Sequence, residues 1–192
     1  MKNIGDIIFA RSEHVCPWWC CYAFDNPLRK LFQNPSQILA PYVQEGFTAI
    51  DIGPGMGYFT IPLLKLVGKH GKVIALDIQG KMFKALKRRA RRAGVAANLI
   101  THLSKADDFG LDEKADFVLI FWMLHEVPDK IRFFKNIKKI MKGTARVLLA
   151  EPMIHVTGRM FDETIKIAEQ TAFKVQDRPP ISLSRGALLT LA

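Results

Sequence analysis

Three glycines at every second position, Gly53, Gly55 and Gly57, form the stretch of the sequence best suited to ligand chemistry. A short apolar run that ends in Asp51 precedes the first glycine, and an amphipathic segment at residues 59–67 follows the last. This order predicts a strand, a tight turn and a helix. Glycine lets a backbone turn sharply and a ligand approach closely, and the first turn of a helix offers unpaired N–H groups. The stretch is therefore predicted to bind a nucleotide-like cofactor.

The spacing of this turn argues against two common nucleotide-binding motifs. A dinucleotide-binding turn has the pattern Gly-x-Gly-x-x-Gly, but Tyr58 stands where its third glycine would be. A P-loop needs a Lys-Ser or Lys-Thr pair after its glycines, and no such pair follows Gly57. Both motifs are disfavoured, so the identity of the cofactor depends on other residues.

Two further positions could carry chemistry at the same edge of a sheet. Asp77 ends a second apolar run 20 residues after Gly57, where its carboxylate could accept hydrogen bonds from both hydroxyls of a ribose, or could simply cap a turn. His125 follows a fourth apolar run and could act as a general base, because its ordinary pKa lies near neutrality. The alternative for His125 is a hydrogen bond to a neighbouring carbonyl. Glu126 and Glu151 are the other candidate bases.

The segments that must position these residues alternate between strand and helix. Continuous apolar runs such as residues 115–122 are typical of strands that are buried on both faces. Helices are expected at 59–67, 81–93, 129–141 and 157–171, with Gly143 ending the third. The fold class predicted is α/β: a doubly wound, Rossmann-like, seven-stranded sheet, mostly parallel with an antiparallel last strand. The remaining expected strands are 72–77, 98–103, 145–151, 173–177 and 187–191.

Residues 1–46 are predicted to form an N-terminal helical lid, and residues 47–192 the cofactor-binding domain. Asn26-Pro27 and Asn34-Pro35 each combine a good N-cap with proline at the first helical position. Four aromatic residues of the predicted lid form a group that could line a pocket for an apolar substrate. Its members are Trp18, Trp19, Tyr22 and Phe24.

Composition limits the class of protein. The 192 residues are 49% hydrophobic and 24% charged, which fits one globular domain. No apolar run approaches the roughly 18 residues of a membrane span and no signal peptide is recognisable, so a cytoplasmic location is expected. Cys16, Cys20 and Cys21 are bunched together, unlike a disulfide framework, and are expected to be reduced. No metal site is predicted; a thiophilic ion at these cysteines is the alternative.

The net charge of +10 raises the question of a nucleic-acid partner. Much of the excess lies in the helix predicted at 81–93, whose apolar residues recur at helical spacing. The basic residues are thus expected on its solvated outer face, and no aromatic residue is interleaved there for base stacking. Nucleic acid is retained as an alternative partner but is not favoured, and oligomeric state cannot be predicted.

The pattern Asp51-x-Gly53-x-Gly55-x-Gly57 resembles the first motif of the class I S-adenosylmethionine-dependent methyltransferases. Asp77 and the pair Glu151-Pro152 follow in the order and spacing of that family. The segment 121–129, which contains Leu124-His125-Glu126, is similar to the Leu-His-His segment of its small-molecule, type 11 or UbiE-like members. The resemblance extends from about residue 47 to residue 192.

This resemblance implies that S-adenosylmethionine is the cofactor and S-adenosylhomocysteine the product. It implies that Asp51 supports the glycine turn or reaches the ammonium of the cofactor, and that the end of the third strand contacts the adenine. There, Lys105 stands where an acid is expected, so either Asp107 replaces that acid or the backbone of Lys105 and Ala106 contacts the adenine. The complete set of expected cofactor-binding residues is Asp51, Gly53, Pro54, Gly55, Gly57, Tyr58, Asp77, Ile78, Lys105, Ala106, Asp107, Phe121 and Trp122.

The activity implied is methyl transfer to a small apolar or aromatic acceptor by in-line displacement. A sulfonium methyl is already electrophilic, so positioning is the main task, and His125 or Glu126 would act only if the acceptor must lose a proton. Two alternatives remain open at this point: an RNA methyltransferase that uses the basic helix, and a non-catalytic cofactor-binding or interaction module.

Overall fold

The computed structural model describes residues 29–105 and 107–192. Predictions that concern Cys16, Cys20 and Cys21, the lid aromatic residues and Ala106 therefore lie outside the described residues. The proposed boundary between residues 46 and 47 remains a prediction.

The described residues form one seven-stranded sheet with helices on both faces. The sheet order is β3-β2-β1-β4-β5-β7-β6, and β7 runs antiparallel to both of its neighbours. This confirms the predicted doubly wound, mostly parallel sheet. The strands are β1 (Thr48–Ile52), β2 (Lys72–Asp77), β3 (Leu99–Leu103), β4 (Ala115–Phe121), β5 (Met141–Pro152), β6 (Phe173–Asp177) and β7 (Ser184–Leu191). The helices are α1 (Arg29–Phe32), α2 (Pro35–Leu39), α3 (Thr60–Val67), α4 (Phe83–Arg92), α5 (Lys130–Lys139) and α6 (Gly158–Gln170), with 3-10 turns at Gly80–Met82, Ala96–Asn98 and Leu124–Glu126.

The central strands are buried because helices cover both faces of the sheet. Ile50 of β1 lies in register with Ile74 of β2 and Val118 of β4, and all three side chains are buried. Alternate residues of each strand point to opposite faces, so each strand contributes to two apolar layers. Helices α2, α3 and α4 pack on one layer, and α5 and α6 pack on the other.

Local sequence signals set several helix starts. Asn34 accepts a hydrogen bond from the Ser36 N–H with Pro35 at the first helical position, as predicted. Asp129 caps α5 in the same way through the Arg132 N–H at 2.9 Å. In α4, Leu86 and Ala90 are buried and five basic residues face solvent as predicted, whereas Arg89 is half-buried. The exposed basic residues of α4 are Lys84, Lys87, Arg88, Arg91 and Arg92.

The predicted end of the third long helix is wrong. Apolar spacing suggested a helix from residue 129 to 141 that is ended by Gly143, but α5 ends at Lys139 and β5 begins at Met141. Met141 pairs with Ala115 of β4, and the Ala115 N–H donates to the Ile140 carbonyl at 2.8 Å. Strand pairing overrides helical periodicity here, so Gly143 lies within a strand.

No helix among the described residues is long and apolar enough to cross a membrane.

Candidate functional site

The sheet order places a crevice between the carboxyl ends of β1 and β4. The chain leaves β1 toward β2 on one side and leaves β4 toward β5 on the other, so these adjacent strands form the topological switch point. Ligands of open α/β sheets bind outside the carboxyl ends of the strands at such a point. The glycine turn follows β1, and Trp122 follows β4.

The glycine turn has a backbone that other residues adopt only with strain. The φ angles of Gly53, Gly55 and Gly57 are 72°, 52° and 93°. A Cβ on Gly53 would lie 3.1 Å from the Cγ of Met123, and a Cβ on Gly57 would clash with the side chain of Leu86. Glycine is therefore required for both the conformation and the close packing of the turn.

Asp51 is buried beneath this turn. Its Oδ2 accepts a hydrogen bond of 2.6 Å from the Thr60 hydroxyl, which joins the last residues of β1 to the first residue of α3. Burial raises the pKa of Asp51 to about 7, the Thr60 hydrogen bond opposes this rise, and the charge of Asp77 adds to it. The two predicted site acids are thus electrostatic neighbours, and the carboxylate of Asp51 holds the helix start in place.

Asp77 lies at the end of β2, at the carboxyl edge of the sheet. Its Oδ1 accepts from the Gln79 N–H at 2.8 Å, so the capping role does occur. Burial raises the pKa of Asp77, backbone hydrogen bonds from Gln79 and Ile78 oppose the rise, and the charge of Glu126 adds to it. The carboxylate accepts hydrogen bonds from the backbone, and it has the capacity to accept further hydrogen bonds from a ligand.

The end of β3 contains a residue that the sequence analysis did not select. The Ser104 hydroxyl is buried and has no hydrogen-bond partner among the described residues, while the Ser104 N–H donates to the Asp77 carbonyl at 2.9 Å. Buried polar groups are rarely left unpaired, so this hydroxyl is suited to bond a ligand. The small residue at the start of the Ser104-Lys105-Ala106-Asp107 stretch was the available signal. Lys105 and Asp107 are exposed.

Four aromatic rings, which we call the aromatic wall, pack together where the chain leaves β1 and β4. The Phe59 and Phe121 ring centroids are 4.0 Å apart, and Tyr58 and Trp122 extend this pair at its two ends. The strand predicted at 115–122 ends one residue early, because Trp122 has a φ of 60°. Such a conformation costs on the order of 1 to 3 kcal/mol. The Trp122 indole N–H donates to the Ser184 hydroxyl at 2.8 Å, which holds the strained residue in place.

His125 and Glu151 form a hydrogen-bonded pair on the other side of the switch point. Glu151 is only 3% exposed, and its Oε1 accepts from the Leu124 N–H at 2.9 Å. Its Oε2 accepts from the His125 N–H at 3.0 Å and lies 2.7 Å from the His125 Nδ1. The hydrogen bond of the imidazole thus goes to a carboxylate and not to a neighbouring carbonyl.

This pair prepares His125 to accept a proton. Burial lowers the pKa of His125, but the hydrogen bond and charge of Glu151, with the charge of Glu126, outweigh burial and raise it above its ordinary value. A proton on Nδ1 directed at Glu151 leaves Nε2 as the acceptor, and Nε2 lies 4.0 Å from the nearest oxygen of Glu126. The His155 ring stacks on the His125 ring with centroids 5.8 Å apart. Glu151 therefore acts as the partner of His125, a role that the sequence analysis did not assign to it.

Comparison with known proteins agrees with this geometry. A model of the methyltransferase domain family matches residues 44–179. The ubiquinone/menaquinone biosynthesis C-methyltransferase UbiE of Escherichia coli is 29% identical over 124 residues, which are 62% of this chain and 49% of that protein. The chain thus spans about half the length of the curated relatives that it matches.

Solved structures share the fold. A SAM-dependent methyltransferase from Aquifex aeolicus superposes with a TM-score of 0.84 at 22% identity, covering 93% of this chain and 100% of that one. The O-methyltransferase NcsB1 from neocarzinostatin biosynthesis, solved with S-adenosylmethionine and 2-hydroxy-5-methyl naphthoic acid, has a TM-score of 0.69 at 19% identity. That superposition covers 91% of this chain and 58% of NcsB1.

Proposed function

The chain belongs to the methyltransferase domain family and is of the class I, S-adenosylmethionine-dependent type, and on this premise we propose that it methylates a small apolar or aromatic molecule. The observation that carries the proposal is the position of the glycine turn at the switch point, where three glycines with positive φ angles follow β1. When bound, S-adenosylmethionine supplies an electrophilic methyl group on a sulfonium and leaves as S-adenosylhomocysteine.

The residues at the carboxyl edge fit the separate parts of this cofactor. We assign the glycine turn, with Pro54 and Tyr58, to the methionine part, and Asp77 with Ile78 to the ribose. The unpaired Ser104 hydroxyl and the following residues 105–107 are assigned to the adenine. Carboxylates of this edge suit a ligand that carries a sulfonium and an ammonium. The acids concerned are Asp51, Asp77, Glu126 and Glu151.

In this proposal His125 removes a proton from the acceptor. Its Nε2 is the free acceptor atom when Nδ1 donates to Glu151, and the raised pKa of His125 makes it a stronger base. Glu151 holds the imidazole in one tautomer and stabilises the imidazolium that forms. Glu126, with its nearest oxygen 4.0 Å from Nε2, adds negative charge beside the same proton.

The aromatic wall supports an apolar or aromatic acceptor. Phe121 and Trp122, which are assigned to this wall, could also place a ring face near the sulfonium. Two similar proteins support this acceptor class: NcsB1 was solved with 2-hydroxy-5-methyl naphthoic acid, and UbiE is named for ubiquinone and menaquinone biosynthesis. We propose that residues 1–46 form a lid that selects the acceptor.

Calorimetric titration tests the cofactor assignment. We expect micromolar binding of S-adenosylmethionine and S-adenosylhomocysteine and no binding of NADH. Absence of binding by both sulfur compounds would contradict the proposed function. A screen of hydroxylated aromatic compounds for release of S-adenosylhomocysteine then tests the acceptor class.

The pH profile of turnover tests the His125 and Glu151 pair separately. In Glu151→Gln the amide keeps a hydrogen-bond acceptor but removes the charge that raises the pKa of His125. The acidic limb of the rate profile should therefore move to lower pH, with a lower rate on its plateau. An unchanged acidic limb would exclude His125 as the titrating base.

The exposed basic face of α4 supports RNA as a second candidate substrate. The five exposed lysines and arginines of this helix could contact phosphates. A steep decrease of RNA affinity with salt, together with methyl transfer to RNA, would favour this candidate over a small molecule.

A further inference from the structure

A cavity of about 280 Å³ lies beyond the carboxyl end of β5. Its walls include Met153, which follows β5, Gly158 at the start of α6, and Arg185 of β7. None of the described residues that are assigned to the cofactor lines it. Ligand pockets usually measure about 300 to 1,000 Å³, so this cavity has room for one part of a small ligand, such as a ring with a polar substituent.

Two contacts place the cavity beside the pair of His125 and Glu151. Arg185 of β7 lies opposite Glu151 of β5 in the antiparallel register, so the two side chains leave the same face of the sheet. The Arg185 Nε donates to the Val156 carbonyl at 3.0 Å, and the ring of the neighbouring His155 stacks on the His125 ring. The cavity therefore adjoins the residue that is proposed to remove a proton from the acceptor.

The cavity also adjoins the aromatic wall. Ser184 is one of its lining residues, and the Ser184 hydroxyl accepts from the Trp122 indole N–H at 2.8 Å. The same hydroxyl accepts from the Gln33 side-chain nitrogen at 3.0 Å, which fixes this side of the cavity to α1. Because Trp122 is one end of the aromatic wall, a ring that contacts the wall can direct a substituent into the cavity.

The positive charge of Arg185 has no acidic partner among the described residues. Glu151 lies opposite, but its two oxygens accept from the backbone of residues 124 and 125 and from the His125 imidazole. Asp162, the acid that lines the cavity, pairs instead with Arg178 at 3.1 Å. The first turn of α6 contains no acid. The cavity therefore carries an excess positive charge.

Arg185 also has donors that no described residue accepts. Its side chain donates through Nε alone, and Nη1 and Nη2 have no hydrogen-bond partner within residues 29–105 and 107–192. Nη1 lies 3.6 Å from the position that a Cβ would take on Gly158, on the opposite wall of the cavity. A guanidinium presents its donors as a rigid planar fork that matches two oxygens of a carboxylate or a phosphate. Arg185 is thus suited to bind an anionic group.

We propose that the methyl acceptor carries an acidic group, a carboxylate or a phosphate, that binds Arg185 in this cavity while the ring of the acceptor contacts the aromatic wall. The inference rests on the proposed function and narrows its substrate class to acidic aromatic compounds. In this arrangement Arg185 binds the acceptor and holds it beside the Nε2 of His125. Arg178 contributes less, because Asp162 compensates its charge.

Calorimetry with matched probes tests the proposal. 4-Hydroxybenzoate and its neutral amide are titrated into protein that is saturated with S-adenosylhomocysteine. Wild type should bind the acid more tightly than the amide by about tenfold or more, as expected for hydrogen bonds to a charged group. Phenyl phosphate and phenol give the same comparison for a phosphate, so the two pairs together identify which acidic group the cavity prefers.

Arg185→Gln separates the charge of this residue from its structural contact. The glutamine Nε2 takes the place of the arginine Nε, so the hydrogen bond to the Val156 carbonyl can be kept while the charge and both Nη groups are lost. This variant should lose the preference for acid over amide and keep its affinity for S-adenosylhomocysteine. Arg159→Gln is the matched control and should keep the preference, because the Arg159 side chain is 90% exposed and paired with Glu163.

The outcomes separate this inference from the proposed function. Three results would overturn the role of Arg185: equal binding of acid and neutral probe to wild type, no binding of either acid at millimolar concentration, or a preference that persists in Arg185→Gln. Each of them leaves the methyltransferase proposal intact if wild type binds S-adenosylhomocysteine, whereas wild type that does not bind it would overturn both. Thermal unfolding checks each variant. If Arg185→Gln is unfolded, Arg185→Lys, which keeps the charge without the fork, should show a smaller preference than wild type, and an unchanged preference would contradict the proposal.

Discussion

Acidic side chains lie at both edges of the sheet, but their surroundings differ. At the amino edge, Asp116 accepts from the Lys142 ammonium at 2.8 Å and from the Thr48 N–H at 2.9 Å, and the lysine is 46% exposed. At the carboxyl edge, Asp51 and Glu151 are 2% and 3% exposed. The partner of Asp51 is a hydroxyl, and the partners of Glu151 are backbone N–H groups and an imidazole.

This difference separates residues that maintain the fold from those that suit a site. The lysine of the Asp116 ion pair is half-exposed, so this pair contributes at most about 1 kcal/mol. Burial raises the pKa values of Asp51 and Asp77, and a buried carboxylate is costly unless a ligand or a neighbouring group compensates it. The strained φ of Trp122 and the positive φ of all three turn glycines occur at the same carboxyl edge. Each prediction below therefore compares a change at one edge with a matched change at the other.

The largest expected effect on activity is the loss of turnover in His125→Ala. Loss of a general base should lower the rate with an acceptor that needs deprotonation by about 100-fold or more, while cofactor affinity changes little. His70→Ala is the control, since His70 is exposed at the amino edge. Steady-state kinetics and calorimetry measure both quantities. Full activity of His125→Ala would exclude its role as the base.

The next effect concerns the pH dependence of stability in Asp51→Asn. Burial raises the pKa of Asp51 from 3.8 to about 7, so between these values the native protein keeps a proton that the unfolded chain releases. This group therefore lowers the free energy of unfolding as pH rises through that window, by on the order of 4 kcal/mol.

The asparagine variant should lack this contribution and gain stability relative to wild type as pH rises. Urea unfolding at both ends of the window measures the difference, with Asp116→Asn as the control at the amino edge. If the free energy of unfolding changed with pH in the same way for wild type and Asp51→Asn, Asp51 would have to be ionised in the native protein even at low pH.

A smaller effect is expected for cofactor binding in Asp77→Ala. Hydrogen bonds to a charged group contribute roughly 1.5 to 3 kcal/mol, so affinity for S-adenosylhomocysteine should decrease by about 10- to 100-fold. Asp116→Ala should leave this affinity unchanged, because Asp116 lies at the opposite edge. Equal affinities of wild type and Asp77→Ala would remove the ribose assignment.

Much of the sheet and the glycine turn could be predicted because their signals are local. Strands buried on both faces leave continuous apolar runs, and a strand that ends in an acid before three alternating glycines identifies the turn. The position of Asp77 follows from parallel topology, since parallel strands end at one edge. The start of β5 could not be predicted, because pairing of Met141 with Ala115 determines it.

The rest of the site depends on contacts between residues that are distant in sequence. Glu151 lies 26 residues from His125, and Gln33 lies 151 residues from Ser184. Neither pair leaves a periodic pattern or a motif in the sequence. The sequence therefore indicated His125 but not its hydrogen bond to Glu151. It could not associate Arg29 with Trp122, because that contact depends on how α1 packs across the switch point.

The smallest expected effect compares two glycines. Gly57 has a φ of 93°, and a Cβ there would clash with Leu86. At Gly143, on the amino edge, the position that a Cβ would take has no atom within 4 Å. Gly57→Ala should therefore lower the free energy of unfolding by about 1 to 2 kcal/mol, and Gly143→Ala should change it little. Urea unfolding at neutral pH measures both. Equal stability of the two variants would show that the turn tolerates a side chain. Glycine would then be needed only for the approach of the ligand, and the affinity of Gly57→Ala for the cofactor would measure that need.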